Sequence, residues 1–365
     1  DPVCASGVWS TALDVSGWAD GTGTLTTHLT PTAGTVGPDA VISLTKDTTG
    51  AAASVASSPP SSIINIANLA AAPFTFNCPE SGTIDFSTTI ATPGIGGPVT
   101  GSVSCPSAGT QSASLNFSPM TGDSDSLTMT ISFTDAAGNL DATGTWVGTF
   151  DSTAPAIPTF TSITNQAYSS GTNHYLFSPS SSTNILGTAS NGTVGLFSDA
   201  SCLSSMVSGS NSIFGTPGLS ISSLTPDSSY PIYARSYDPN GNTSACGFLI
   251  NVIRDNTSPG APGSVTFSAG AFTATAAQTP AFTWTASSEA SSGILRYDLT
   301  VGTSAGASDY WGTPIDIGTS LASAGCTGGA PFPENIQYYV NVRGVDNIGN
   351  QGPWTSAGPF RYYSG

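Results

Sequence analysis

Cationic and acid–base side chains are scarce in this chain of 365 residues, which has one lysine, five arginines, two histidines and three glutamates. So few basic residues cannot neutralise a phosphate backbone, and this excludes nucleic-acid binding as a main function. General acid–base catalysis needs a positioned partner and a nearby reactive group, and neither histidine has them in its local sequence. The scarcity therefore argues against an enzyme.

Long apolar runs and dense charge are also missing. No apolar stretch approaches the ~18–20 residues that a membrane span needs, so no span is predicted. Only 8% of the residues are charged and the mean hydropathy is +0.07, so a net charge of −16 is too dilute to keep the chain disordered. The chain opens at Asp1 without a signal-like segment, as in a mature or trimmed product.

An internal repeat of 104 residues organises the chain. Asp47-Thr-Thr-Gly, Asp151-Ser-Thr-Ala-Pro and Asp255-Asn-Thr-Ser-Pro follow one another at that spacing. Polar turns with a glycine follow alternating apolar runs, as in Asp238-Pro-Asn-Gly-Asn and Asp346-Asn-Ile-Gly-Asn. The repeat predicts a partial unit over 1–47, equivalent to the C-terminal half of a repeat, and full units over 48–151, 152–255 and 256–365.

Within the units, apolar residues alternate with polar ones at a period of two, which predicts strands with one buried face. No segment has a convincing helical period; residues 63–72 come nearest, without a clear polar face. Many short strands between glycine, proline and aspartate turns predict an all-β chain of β-sandwiches. The clearest alternating sets are Leu127, Met129, Ile131 and Phe133, and Leu295, Tyr297, Leu299 and Val301.

Several segments resemble a known family. The strand ending in Phe133-Thr-Asp-Ala-Ala-Gly-Asn139 and the joints at Asp151 and Asp255 resemble the tandem Ig-like domains of large bacterial surface proteins. The last unit, with Phe282-Thr-Trp284 and Tyr338-Tyr-Val-Asn-Val-Arg-Gly-Val-Asp346, resembles a fibronectin type III domain. The resemblance implies an elongated extracellular array of sandwiches, as in stalks, adhesins and accessory modules, and no catalytic residues.

Four of the six cysteines fall in pairs within predicted units. Cys78 with Cys105, and Cys202 with Cys246, are therefore predicted to form disulfides, in keeping with an extracellular location. Metal binding by cysteine is the alternative, but no C-x-x-C or histidine-paired spacing supports it.

Cys4 and Cys326 remain, one near each end of the chain. Two interpretations stay open. In one, Cys4 lacks its partner because the chain begins inside a domain, and Cys326 is a free thiol. In the other, Cys4 of one subunit bridges to Cys326 of the next in a head-to-tail assembly.

Aspartates at turns and joints are candidate calcium ligands. Calcium takes several oxygen ligands, and an Asp-rich turn facing an Asp-containing linker supplies them, so Asp135, Asp151, Asp238 and Asp255 are the candidates. No run matches a calcium-binding loop, and an aspartate in a turn often bonds its own backbone instead. No other cofactor is predicted.

Tyr310 and Trp311 are the candidate ligand contacts. They lie in a connection rich in serine and glycine, where exposed aromatic rings would stack on a sugar or a protein surface. The alternative is that both rings cover the edge of their own sandwich.

These observations predict a non-catalytic extracellular bacterial protein that is structural and adhesive, a stalk or fibre segment of a surface adhesin. One alternative is a self-assembling filament or surface-layer subunit joined through its incomplete first unit. Another is an array of carbohydrate-binding accessory modules. The expected partners are other copies of the chain, other surface proteins or cell-surface glycans.

Overall fold

The computed structural model of the protein divides by its contacts into two units, Asp1–Ala154 with Asn240–Asn242, and Pro155–Pro239 with Thr243–Gly365. The residues that it describes are 10–31, 33–91, 96–141, 144–177, 179–267, 272–273, 281–323 and 332–362.

Unit 1 begins with an antiparallel hairpin of β1 (Gly21–Thr27) and β2 (Ala40–Lys46), which forms a two-stranded sheet. Gly21 pairs with Lys46, and the same pairing recurs 104 residues later, between Asp125 and Phe150. The hairpin thus has the strand register of the last hairpin of the sandwich that follows.

Sandwich A, residues 54–151, completes unit 1 with two sheets, of orders β3-β5-β8 and β4-β10-β9-β6-β7. Phe74 and Phe76 of one sheet and Ile84, Met129 and Phe133 of the other share a buried cluster, so the sheets pack face to face. Its elements are β3 (Ser54–Ser57), a 3₁₀ turn (Pro60–Ser62), β4 (Ile63–Asn65), β5 (Ala72–Cys78), β6 (Gly82–Ile90), β7 (Thr100–Cys105), β8 (Gly109–Leu115), β9 (Asp125–Asp135) and β10 (Gly144–Asp151).

Sandwich B, residues 159–254, lies in unit 2 except for Asn240–Asn242, and has sheets of orders β11-β14-β17 and β12-β13-β19-β18-β15-β16. Its buried cluster includes Ile185, Leu196 and Val252. Its elements are β11 (Thr159–Ile163), β12 (Gln166–Ser170), β13 (Asn173–Leu176), β14 (Thr183–Thr188), β15 (Thr193–Phe197), β16 (Ser205–Ser210), α1 (Asn211–Gly215), β17 (Leu219–Ile221), β18 (Ser228–Tyr237) and β19 (Gly247–Arg254).

Sandwich C, residues 263–362, also lies in unit 2 and has sheets of orders β20-β22-β25 and β21-β27-β26-β23-β24. Trp284, Tyr297 and Tyr338 are buried in its core. Its elements are β20 (Gly263–Phe267), β21 (Phe272–Thr273), β22 (Phe282–Thr285), β23 (Ile294–Gly302), β24 (Trp311–Asp316), β25 (Ala322–Ser323), β26 (Gln337–Asp346) and β27 (Thr355–Tyr362).

Both predicted disulfides are present. Cys78 ends β5 and Cys105 ends β7, so their bridge joins the two sheets of sandwich A, with a Cα–Cα distance of 5.7 Å. Cys202 lies between β15 and β16 and bonds Cys246, just before β19, with a Cα–Cα distance of 5.8 Å.

The predicted all-β class and β-sandwich layers are confirmed. Among the described residues, α1 is a single short helix of five residues, which the sequence pattern did not predict, and no helix there has the length and apolarity to cross a membrane. The limits predicted for the four units stay a prediction.

One predicted strand face needs correction. Leu127 and Met129 share a buried face of β9 as expected. Leu295, however, is 43% exposed, while Tyr297 and Leu299 are buried. The reason is a register shift between Ile294 and Arg296, which turns Leu295 away from the core face.

Candidate functional site

Three polar turns of one design lie at the ends of long strands. Each has the pattern Asp-x-x-Gly-Asn, and each glycine has a positive φ: +95° at Gly138, +88° at Gly241 and +99° at Gly349. A glycine takes this left-handed backbone without steric cost. The residues flanking the turns pair across them in the same way: Thr134 with Leu140, Tyr237 with Thr243, and Val345 with Gln351.

The first aspartate of the turn holds it closed. Asp135 accepts the backbone N–H groups of Ala137 and Asn139, each at 2.8 Å, and the Asn139 side-chain amide at 2.8 Å. These hydrogen bonds, led by that of the Asn139 side chain, lower the pKa of Asp135. Asp346 accepts the equivalent groups of Ile348 and Asn350 at 2.8–3.1 Å.

The last asparagine of each turn also reaches the linker that precedes its sandwich. The amide nitrogen Nδ2 of Asn139 lies 3.2 Å from the carbonyl oxygen of Asp47. The matching distances are 3.2 Å from Asn242 to Asp151 and 3.5 Å from Asn350 to Asp255. The acceptors are the three aspartates spaced by 104 residues, so the repeat read from the sequence corresponds to one recurring contact, called here the joint hydrogen bond.

The Asp151 joint, within unit 1, has a dense polar network. Asp151 is buried and its carboxylate accepts the side-chain amide of Asn240 at 2.8 Å. Asn65 donates to the carbonyl of Asn240 at 2.7 Å, and Asn242 accepts the backbone N–H of Ile66 at 2.8 Å. Residues Asn240–Asn242 are therefore held by hydrogen bonds from Asn65 and Ile66 and by the carboxylate of Asp151.

The Asp255 joint, within unit 2, borders a cleft of about 470 Å³. Asp255 is buried and accepts the backbone N–H of Ser292 at 3.1 Å, and Tyr175 donates to the carbonyl of Ser291 at 2.9 Å. Glu289 also lines the cleft; burial first, and then the nearby Asp255 charge, raise its pKa. The cleft is therefore lined by three acidic residues, Asp227, Asp255 and Glu289.

Asp135 is the calcium candidate that joins a close group of three acidic side chains in the described part of the chain. Ligand oxygens of Asp47, Glu80 and Asp135 lie within 4.8 Å of one another, and desolvation followed by the two aspartates raises the pKa of Glu80. No comparable group of three forms around Asp151 or Asp255 among the residues described. Sequence spacing did not single out Glu80 as a ligand, because the β5–β6 turn that carries it approaches Asp135 only through strand pairing.

Asp238 starts the second turn, and the structure gathers no trio of acidic ligands around it within the described ranges. Calcium binding by the four candidate aspartates stays a prediction. Cys4 and Cys326 lie outside the described residues, and so does any bridge between them.

Tyr310 and Trp311 pack on their own sandwich. Trp311 is only 5% exposed and lies 5.1 Å, centroid to centroid, from Phe332. Tyr310 stacks on Phe332 at 5.1 Å and contacts Tyr338 at 4.8 Å. Trp311 is buried and Tyr310 is partly buried, which agrees with the alternative that both rings cover the edge of their own sandwich. A ligand contact by Tyr310 and Trp311 stays a prediction.

The solved structures that are similar to the chain include the following three. One comes from a 1.5-MDa bacterial ice-binding adhesin: it covers 87% of this chain and 99% of its own, at 17% identity and a TM-score of 0.35. A second structure contains the FN1–FN3 domains of chicken CNTN1. It covers 85% of this chain and 97% of its own, at 11% identity and a TM-score of 0.30. A third contains fibronectin(III)-like modules of Clostridium thermocellum CbhA. It covers 56% of this chain and 95% of its own, at 9% identity and a TM-score of 0.30.

Identities and TM-scores this low support no assignment of function. No protein-family model matches the chain, and no curated protein matches it.

Proposed function

We propose that the chain is a non-catalytic structural and adhesive protein of the bacterial cell exterior, a stalk or fibre segment of a surface adhesin. The joint hydrogen bond carries this proposal, because it recurs where Asn139, Asn242 and Asn350 meet their linkers. A contact repeated at every joint suits a protein whose task is to hold successive sandwiches in place.

The two disulfides support an extracellular setting. Disulfides persist in oxidising compartments and are rare in the cytosol. The bridges Cys78–Cys105 and Cys202–Cys246 cross-link sandwiches A and B covalently, each within its own sandwich. Because Lys46 is the single lysine of the chain, surface ion pairs made by lysine contribute little to stability.

The alternative of a self-assembling filament subunit also has an observation in its favour. The β1–β2 hairpin forms a sheet of its own, in which Val41 is 63% and Ile42 is 52% exposed. Exposed apolar strand residues favour pairing with a further sheet, supplied either by a longer chain or by another copy.

Electron microscopy of the purified protein separates the two functions. Isolated short rods, with and without reductant, support the stalk segment. Long fibres support the filament subunit, and fibres that shorten with reductant also support a bridge between Cys4 and Cys326. Compact particles without a rod shape would contradict both.

A further inference from the structure

The outward face of the larger sheet in sandwich B is aromatic. Along β18, Tyr233, Arg235 and Tyr237 alternate with buried residues and so point away from the core. In sandwich A the outward face of β9, about one repeat earlier, is lined with hydroxyls instead. Its residues are Thr128, Thr130, Ser132 and Thr134.

Neighbouring strands extend this aromatic face on both sides of β18. Phe248 of β19 pairs with Tyr233; their rings lie 5.5 Å apart, and Phe248 is 44% exposed. On β15, Phe197 also pairs with Tyr233, and Gly195 pairs with Arg235. A Cβ at Gly195 would lie 2.9 Å from the Phe197 ring, so that ring covers the glycine beside Arg235.

A rigid loop brings one more apolar side chain to the same end of the sheet. Leu203 is 83% exposed and follows Cys202, whose disulfide leads to Cys246, two residues before Phe248. The Asp199 carboxylate accepts the backbone N–H of Leu203 at 3.1 Å. A side chain held out by a locked loop loses little conformational entropy on binding.

Arg235 lies within this apolar surface and has no counter-ion in the part of the chain that the structure describes. Its Nε is buried and has no hydrogen-bond partner, and Arg235 takes no part in the ion pairs of the described residues. Arg296 and Arg343, by contrast, share the carboxylate of Asp298 at 2.8 and 3.0 Å. A partly buried cation without a partner is costly, and an incoming carboxylate relieves that cost with charge-assisted hydrogen bonds.

We propose that this surface binds a protein segment in which a carboxylate is flanked by apolar side chains. The carboxylate meets Arg235, and the flanking side chains pack on the rings and on Leu203. The inference rests on the proposed adhesive function for its setting and names a binding surface for it. The Arg235 patch is defined by Leu203, Tyr233, Arg235, Tyr237 and Phe248. Phe197 is only 5% exposed and supports the patch from β15 without forming part of its accessible surface.

The chemistry of the patch favours a protein over a sugar. Tyrosine and arginine are enriched at the energetic centres of protein interfaces, with apolar neighbours that exclude water. A sugar presents hydroxyls that need several polar partners, whereas Leu203 and Phe248 present none. The positive charge of Arg235 in turn selects an acidic segment over a basic one.

A peptide library displayed on phage and selected on the full chain tests the proposal. We expect enriched peptides to contain an aspartate or glutamate next to leucine, isoleucine or aromatic residues. The best synthetic peptide should bind Arg235→Gln at least about tenfold more weakly, and the same loss should follow when its acid is replaced by the amide. Leu203→Ser, at a largely exposed position, should weaken binding without affecting folding.

Arg361→Gln, on β27 of sandwich C, is the matched control and should bind as the parent does. Equal binding to Arg235→Gln, enriched peptides without an acid, or no enrichment would each overturn the proposal. Hyaluronan or sialyllactose binding that requires Arg235 would assign the patch to acidic sugars instead. Electron microscopy of Arg235→Gln distinguishes a failure of this proposal from a failure of the proposed function. If the variant still forms rods, a loss of peptide binding concerns the Arg235 patch alone.

Discussion

One amide group serves two acceptors at the first and third joints. The Nδ2 of Asn139 donates both to the Asp135 carboxylate and to the carbonyl of Asp47. Asn350 makes the equivalent pair of contacts with Asp346 and with the linker that precedes sandwich C. An aspartate has the same shape but no hydrogens to donate, so the joint depends on the residue type and not on its size.

Replacing Asn139 should therefore weaken unit 1. Asn139→Ala leaves two acceptors unpaired and should lower the Tm of that unit by about 4–8 °C in calorimetry. Asn139→Asp should lower it further at neutral pH, because a second carboxylate then faces Asp135. Asn77→Ala, at an exposed strand position, is the control and should change the Tm little. Equal Tm values for all three variants would refute the role of the joint hydrogen bond.

Glu289 gives a pH-dependent prediction. Burial raises its pKa above the ordinary 4.5, so the folded chain holds this proton more tightly than the unfolded chain. Its contribution to the free energy of unfolding is complete below pH 4.5 and falls as the pH rises through its folded pKa.

Glu289→Gln should remove that fall, because the amide does not ionise yet still accepts the N–H of Ser291. Its Tm should exceed that of the parent at pH 7, by less than about 4 °C because solvent screens the partly exposed group. The gain should vanish below pH 4. Glu334→Gln, on an exposed turn, is the control; a gain that persists in acid would contradict this assignment.

At the scale of elements, each disulfide cross-links a different sandwich, one within sandwich A and one within sandwich B. The bridge Cys78–Cys105 closes 27 residues of sequence and Cys202–Cys246 closes 44. Both pairs were predictable, because each lies within one repeat. The shift at Ile294–Arg296 was not, because a β-bulge follows from how two strands fit against each other and not from alternation along one of them.

Removing a bridge should destabilise only the unit that contains it. Replacing Cys78 and Cys105 by serine should cost unit 1 about 3–4 kcal/mol, and replacing Cys202 and Cys246 should cost unit 2 about 4 kcal/mol, since closed loops of these lengths restrict the unfolded chain. Calorimetry of the two double variants measures both transitions in each sample. A loss of stability that appears in the other unit would contradict independent cores.

At the scale of the whole molecule, the calcium prediction becomes specific to one unit. Asp47, Glu80 and Asp135 are three potential ligands in unit 1. Millimolar calcium should therefore raise the Tm of unit 1 by about 5 °C relative to a chelator, as for weak extracellular sites, and leave unit 2 unchanged. Glu80→Gln should abolish the rise; an unchanged Tm in the parent would end the prediction.

The amino-acid sequence by itself determined the strand class, the 104-residue repeat and the two disulfide pairs, because period-two patterning, turn residues and cysteine spacing are local or regularly repeated signals. It also marked Asp47, Asp151 and Asp255 as joint residues and Asp135 as a turn residue. Tertiary structure alone decided which side chains meet: Glu80 approaches Asp135, Trp311 fills a core, and the buried Nε of Arg235 has no hydrogen-bond partner among the described residues. Such outcomes depend on strand pairing between distant segments, whose partners no single stretch of sequence specifies.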